Sequence, residues 1–367
     1  MKRVAVIMAG GAGERFWPLS RQRYPKQLLR IAGNRSMLSE SVARISPMVA
    51  PEDVYVITGT SLREAICAES GVIPPNNIIA EPEGRNTAAC LALAVALMEQ
   101  RYTEEPDTVM AVLTADHSIH NTEAFAADLA TAFAHAETHD CLVTFGIPPT
   151  RAETGYGYVE AGEPFADDPR VRRVLAFREK PSLETARQYL STGRHLWNSG
   201  MFVWRTSVLR EAFRLTLPEA YAQLDALRDA LTADDSPDRL AKVFGLLPRI
   251  SIDFGVMERA SNVAVVRASF DWDDIGTWTS ISRLLEADAS GNVTFGKCLL
   301  PDSAGCIVYS VGESKGPEDG RLVVGFGVKD LVIVSTADAV LVCPRESAQQ
   351  VKAIAARLRE EGLDEYL

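Results

Sequence analysis

With 367 residues, 47% of them hydrophobic and 24% charged, the chain has the composition of a soluble globular protein with a sizeable core, not of a disordered or fibrous one. Its formal net charge of −11 argues against a spread-out basic face for a nucleic-acid backbone, so cations serving a phosphate ligand must be local. No apolar stretch approaches the length of a bilayer span, and the run after Met1-Lys2-Arg3 is too short for a signal-peptide core, so a cytoplasmic protein with no membrane partner is expected.

Residues 4–8 form an apolar run of strand length that opens into Ala9-Gly10-Gly11-Ala12-Gly13-Glu14-Arg15-Phe16-Trp17-Pro18-Leu19-Ser20, followed by Tyr24-Pro25-Lys26-Gln27. Glycines let backbone N–H groups approach phosphate oxygens, and Arg15 and Lys26 bring charge that amides cannot supply. A dinucleotide-binding fingerprint requires a third glycine where Phe16 stands, and a P-loop ends in Gly-Lys-Ser/Thr, a tripeptide absent here. An ordinary strand-turn-helix junction is the plain alternative, and the clustering of Gly, Arg and Lys disfavours it.

Beyond the loop, short β-branched runs at 54–58, 108–113 and 141–145 alternate with segments long enough for helices, the pattern of a doubly wound, mostly parallel α/β sheet. Residues 86–100 predict a buried helix capped by Asn86, and 124–137 an alanine-rich one. Strands are expected at 155–160, 171–177 and 200–204, a helix at 209–231 and a polar turn at 232–238. From 292 to 343 short strands alternate with Gly, Asp, Pro and Ser, with an exposed loop at 312–320, which suggests a small β-helix-like region. An amphipathic helix at 347–361 ends the chain, with Val351, Ile354, Ala355 and Leu358 on one face. That stripe is expected to pack within the chain, with a homodimer as the alternative. The division is then a nucleotide-binding domain at 1–288 and a small β domain with its helix at 289–367.

Two aspartates stand where metal-phosphate chemistry needs them. Asp116 follows a strand in Leu113-Thr114-Ala115-Asp116-His117, and Asp274 lies in Phe270-Asp271-Trp272-Asp273-Asp274-Ile275-Gly276-Thr277-Trp278. Doubly wound folds bind ligands beyond the carboxyl ends of their strands, and magnesium prefers carboxylates together with substrate phosphates. Each aspartate alone reads equally as a turn cap, Asp273 competes with its neighbour, and His117 either meets the ligand or caps a turn. The pairs His117/His120 and His135/His139 lack a wider set with zinc-ligand spacing and are expected at the surface. The six cysteines are scattered, with no Cys-x-x-Cys, as in reduced proteins. No Gly-x-Ser-x-Gly elbow supports acyl hydrolysis.

The order Gly-Gly-x-Gly-x-Arg then Pro-Lys resembles the nucleotidyltransferase signature of sugar-nucleotide pyrophosphorylases. The insert at 16–20 and the Pro25-Lys26-Gln27 ending are similar to the mannose-1-phosphate guanylyltransferase branch, and the likeness runs from Val4 to Arg357. It implies a reaction of GTP with mannose 1-phosphate and Mg²⁺ or another divalent cation, by in-line attack without a covalent intermediate. In that family pattern Ala9, Gly10, Gly11 and Gly13 wrap the triphosphate, Arg15 and Lys26 stabilise its β and γ phosphates, and Asp116 and Asp274 hold the metal, the latter through Asp-x-Gly-Thr. Glu81-Pro82-Glu83-Gly84-Arg85-Asn86-Thr87-Ala88-Ala89 resembles the base-recognition segment, which implicates Glu81, Pro82, Arg85, Asn86 and Thr87; the family commonly has proline where Ala89 stands. Phe177-Arg178-Glu179-Lys180-Pro181 implies Glu179 for sugar hydroxyls and Lys180 for the sugar phosphate. Trp197-Asn198-Ser199-Gly200 implies Asn198 at the sugar ring, with Gly155 letting the backbone close over it. Asp253 and Glu258, in a further matching segment, organise or brace that pocket. A transferase for another base or sugar is the nearest alternative, and a non-catalytic nucleotide-sugar sensor the more distant one. By length, no isomerase-type domain is expected after the β region.

Overall fold

The computed structural model describes all residues of the chain except 12, 32–34, 105–106, 233–235 and 314–315. Ala12 of the glycine loop, part of the turn expected at 232–238 and part of the loop expected at 312–320 therefore lie outside the described residues.

Nine strands make one mixed sheet: β1 (Lys2–Met8), β2 (Val54–Gly59), β3 (Ile78–Glu81), β4 (Thr108–Thr114), β5 (Leu142–Ile147), β6 (Tyr158–Pro164), β7 (Val171–Arg178), β8 (His195–Arg205) and β9 (Val263–Arg267), in the order β3-β2-β1-β4-β8-β5-β9-β7-β6. β1 to β6 and β9 share one direction, while β7 and β8 run against them. The all-apolar run in β1 follows from this placement. Val4 and Val6 join one core cluster while Ala5 and Ile7 join the other, because helices cover both faces.

The helices are α1 (Met37–Ile45), α2 (Arg63–Ser70), α3 (Thr87–Arg101), α4 (Thr122–Thr138), α5 (Leu183–Thr192), α6 (Thr206–Thr216), α7 (Pro218–Tyr221), α8 (Leu224–Ala230), α9 (Ser236–Phe244), α10 (Ile281–Leu284) and α11 (Lys352–Glu360). Every residue of α3 from Ala88 to Met98 is buried, which its alternation of alanine with leucine permits, since it has no polar face to keep wet. The continuous helix expected at 209–231 is instead α6, α7 and α8. Pro218 has no N–H to continue the ladder of α6 and restarts the chain as the first residue of α7. The strand expected at 200–204 begins earlier, at His195.

The C-terminal region alternates between two small sheets. β10 (Val293–Phe295), β12 (Ile307–Ser310) and β14 (Leu331–Ser335) pair in parallel in one, β11 (Cys298–Leu299) and β13 (Val323–Val324) pair in parallel in the other. A chain that visits two parallel sheets in turn makes the coils of a β-helix, and β15 (Val340–Pro344) ends it by pairing antiparallel with β14. A 3₁₀ turn at Arg345–Val351 leads into α11. The apolar stripe packs within the chain: Val351 and Ile354 join a cluster with Phe16, Leu19, Trp278 and Tyr309. Among the described residues no helix is long and apolar enough to cross a membrane.

Candidate active site

The glycine loop leaves the sheet at Ala9, whose N–H donates to the Ile57 carbonyl at 2.8 Å and whose carbonyl accepts from Thr58 Oγ1 at 2.9 Å and Gln27 Nε2 at 2.8 Å. With both backbone groups used and the residue buried, Ala9 anchors the loop and does not line the cavity, contrary to expectation. Gly13 has φ 62°, and a Cβ there would stand 2.5 Å from the Lys26 Cβ. Only glycine lets the loop cross Lys26 this closely. Gly10, Gly11, Gly13 and Arg15 line a cavity of about 400 Å³ together with Lys26, Asp116, His117 and Asp274, and with Lys352 from α11.

Lys26 is only 6% exposed, and a lysine so buried requires compensation. Its Nζ donates to Asp116 Oδ2 at 2.8 Å and to the Asp274 carbonyl at 2.7 Å. Burial pushes the Asp116 carboxyl up, but the ammonium of Lys26, with help from His117, outweighs it and holds the group below its ordinary value. The Asp116 side chain keeps 38% of its surface accessible. His117 is pushed down to about 4, chiefly by burial and further by Lys26 and Arg44 against the pull of Asp116. Trp272 Nε1–H donates to His117 Nδ1 at 3.1 Å, so the imidazole is neutral with its proton on Nε2. His117 thus belongs to the cavity and is not a surface residue. Nor is His135, which is 3% exposed and stacks on His139 with ring centroids 4.1 Å apart.

The choice between Asp273 and Asp274 is decided by their partners. Asp273 is held by the Arg283 guanidinium and accepts the Ile275 N–H at 2.8 Å, which fixes it in the wall. Asp274 lines the cavity, and its Oδ1 accepts from Tyr156 Oη at 2.6 Å. Burial raises its carboxyl, the Tyr156 hydrogen bond and Lys26 oppose this, and the like charges of Asp273 and Asp116 add to it. Two carboxyl groups on one cavity offer the oxygen donors that a hard divalent cation prefers, and its charge would relieve their mutual repulsion.

A second cavity of about 430 Å³ shares Gly10, Gly11 and Asp116 with the first and is lined further on by Glu81, Gly84, Asn86, Thr87 and Cys90. It opens at the start of α3, where Asn86 Oδ1 caps the Thr87 N–H at 2.8 Å and Thr87 Oγ1 accepts the Ile252 N–H at 2.8 Å. The Glu81 Oε1 is buried without a partner among the described residues. Burial drives this carboxyl up to about 7, opposed by a hydrogen bond with Cys90. Neither Pro82 nor Arg85 is on the cavity wall. The Arg85 guanidinium is committed to Glu83 Oε1 at 2.7 Å and the Leu247 carbonyl at 2.5 Å, so a role for that side chain at a ligand is not supported.

The third group gathers at the ends of β7 and β8. Asn198 Nδ2 donates to Asp253 Oδ1 at 2.9 Å while its Oδ1 accepts from Thr144 Oγ1 at 3.1 Å, which fixes the amide orientation. The Glu179 N–H donates to Glu258 Oε1 at 2.9 Å. Burial pushes the Glu179 carboxyl up to about 7, with Asp253 adding and Lys180 opposing. Gly155 is exposed, its N–H turned to Glu153 Oε1 at 3.1 Å. The glycine that makes the close approach is Gly157, where a Cβ would meet Glu179 Oε1 at 2.0 Å. Lys352, Tyr156 and Gly157 carried no sequence signal of their own; the Gly-Tyr-Gly-Tyr run held the last two, but spacing does not say which faces inward.

A glycine loop, buried lysine and paired carboxylates beyond the ends of parallel strands define an α/β nucleotide-site architecture. The Nucleotidyl transferase family model matches residues 4–291, and the chain belongs to that family. A second model, the MannoseP isomerase/GMP-like beta-helix domain, matches residues 296–358, in agreement with the alternating parallel coils. The chain is 39% identical over 373 residues to the mannose-1-phosphate guanylyltransferase of Escherichia coli K12, covering 100% of this chain and 75% of that one. It is 39% identical over 367 residues to the enzyme of the same name from Klebsiella pneumoniae, covering 98% and 75%. The crystal structure of a mannose-1-phosphate geranyltransferase from Thermus thermophilus superposes with a TM-score of 0.85 at 35% identity, covering 98% of this chain and 100% of that one.

Proposed function

We propose that the chain joins GTP and α-D-mannose 1-phosphate to give GDP-mannose and diphosphate. The observation that carries this reading is the 39% identity, over essentially the whole chain, to relatives of that name, and the cavity combining Arg15, Lys26, Asp116 and Asp274 supports it. A phosphate oxygen of the sugar attacks the α-phosphorus in line as diphosphate leaves, so the protein's contribution is position and charge. Arg15 and Lys26 take the β and γ phosphates; the bonds of Lys26 to Asp116 and the Asp274 carbonyl orient its Nζ beforehand. Asp116 and Asp274 would hold Mg²⁺, which when bound supplies positive charge to the phosphates. Glu81, Asn86 and Thr87 meet the base and ribose, and Lys180 the sugar phosphate.

Glu179 and the fixed amide of Asn198 read the sugar hydroxyls, since a hydroxyl of wrong stereochemistry leaves a buried group unpaired at about 1–3 kcal/mol. The partners are then these two small molecules, with no nucleic acid or membrane, in the cytoplasm. The test is diphosphate release by the purified protein with Mg²⁺, crossing GTP, ATP, UTP, CTP and dTTP against mannose 1-phosphate and glucose 1-phosphate. Release with GTP and mannose 1-phosphate alone is expected. Release with a different pair would move the specificity, and none with any pair would overturn the reading.

A further inference from the structure

The β-helical region and the segment after it are packed directly onto the glycine loop. Phe16 and Leu19 share one apolar cluster with Trp278, Tyr309 and Val351, the rings of Phe16 and Trp278 standing 5.1 Å apart. Trp17 Nε1–H donates to the Tyr366 carbonyl at 2.8 Å, Arg21 donates to the same carbonyl, and its other nitrogen reaches Asp338 Oδ1 at 2.8 Å. Arg359 of α11 pairs with Glu14 at 3.6 Å. Both neighbours of Arg15 are thereby held by the C-terminal segment.

That same segment places Lys352, the first residue of α11, on the wall of the cavity lined by Gly13, Arg15 and Lys26. The two lysines differ in their commitments. Lys26 is already matched by Asp116, whereas Lys352 is exposed and pairs with no carboxylate among the described residues. A cation on a cavity wall that pairs with no carboxylate among the described residues is placed to meet an anionic ligand.

We propose that Lys352 is a further phosphate-binding residue of this cavity. It binds the terminal phosphates of the incoming nucleotide and the diphosphate that leaves, so the C-terminal region completes the site as well as bracing it. This rests on the reading that the cavity takes a nucleoside triphosphate, and the experiment keeps the two apart.

In the whole 367-residue chain, Lys352→Ala and Lys352→Arg are compared with wild type and with Arg357→Ala. Arg357 is an exposed residue of the same helix, paired with Glu361 at 2.9 Å and outside the cavity. Forward KM for GTP and for mannose 1-phosphate, reverse KM for diphosphate with GDP-mannose, thermal unfolding, and calorimetric binding of inorganic diphosphate are measured. Lys352→Ala is expected to raise KM for GTP and for diphosphate, and the calorimetric Kd, by about tenfold, the equivalent of one charged hydrogen bond. KM for mannose 1-phosphate should stay within about twofold of wild type, Lys352→Arg should recover most of the loss, and Arg357→Ala should behave as wild type. Unchanged diphosphate affinity in Lys352→Ala overturns the inference, as does a loss shared by Arg357→Ala or accompanied by lower thermal stability and no rescue by arginine. A wild type that binds diphosphate through Lys352 but forms no GDP-mannose overturns the proposed reaction instead and leaves the phosphate assignment standing.

Discussion

The unpartnered oxygen of Glu81 makes a prediction about stability that does not depend on any ligand. Moving this carboxyl from an ordinary 4.5 to about 7 corresponds to about 3 kcal/mol at 1.36 kcal/mol per pKa unit. The direction follows from proton binding. Between 4.5 and 7 the folded chain binds this proton more tightly than the unfolded chain does, so stability is greatest below 4.5 and is lost as pH rises through 7. Above 7 the folded protein carries the full cost of a buried, desolvated carboxylate. Glu81→Gln keeps the shape and removes the charge. It is therefore expected to be more stable than wild type by about 3 kcal/mol at pH 8 and by less than about 1 kcal/mol at pH 5. Chemical unfolding of both proteins at the two pH values measures this difference, and the comparison cancels the similar contribution of Glu179, which both retain. Equal stability at pH 8, or a gain of the same size at both pH values, would refute the argument that burial of this carboxyl outweighs its hydrogen bond with Cys90.

Three further outcomes follow from the same geometry. Asp274→Asn should lower kcat by about a hundredfold, as expected for a charged group acting where phosphate charge develops, while nucleotide affinity stays within a few-fold; wild-type turnover at saturating Mg²⁺ would remove Asp274 from the chemistry. Chelation of divalent ions should abolish diphosphate release, with recovery on adding Mg²⁺ and little change in the unfolding midpoint, and full activity in chelator would dismiss the metal. Trp278, fully buried in the cluster beneath the loop and donating to the Trp17 carbonyl at 3.1 Å, should cost about 3–5 kcal/mol when replaced by alanine, measured by denaturant unfolding; a loss under about 1 kcal/mol would mean that the C-terminal packing is not a stabilising interface.

What the sequence discloses are requirements local to the backbone. Gly11 and Gly13 have positive φ, and glycine is the residue that meets such a requirement; Asn86 caps α3 by a bond to the very next N–H. Both were legible because cause and consequence lie within a few residues. The insertion of β8 between β4 and β5 was not, since a strand carries the same apolar run whichever neighbours it pairs with. Arg85 looked free to meet a ligand because its partner carbonyl belongs to Leu247, and Asp273 looked equivalent to Asp274 because Arg283, which takes it out of contention, lies ten residues on. Charge identity is written in the sequence, but charge commitment is a tertiary property. The same distinction changes what the aromatic insert at 16–20 means. Resemblance marks it as a sign of one branch of the family, while the structure has Phe16 and Leu19 buried under the C-terminal region and Trp17 bonded to it. A substitution at Trp17 therefore disturbs the support of Arg15 and the approach of Lys352 together, so its kinetic effect reports the seating of the C-terminal region on the loop before it reports any preference for base or sugar.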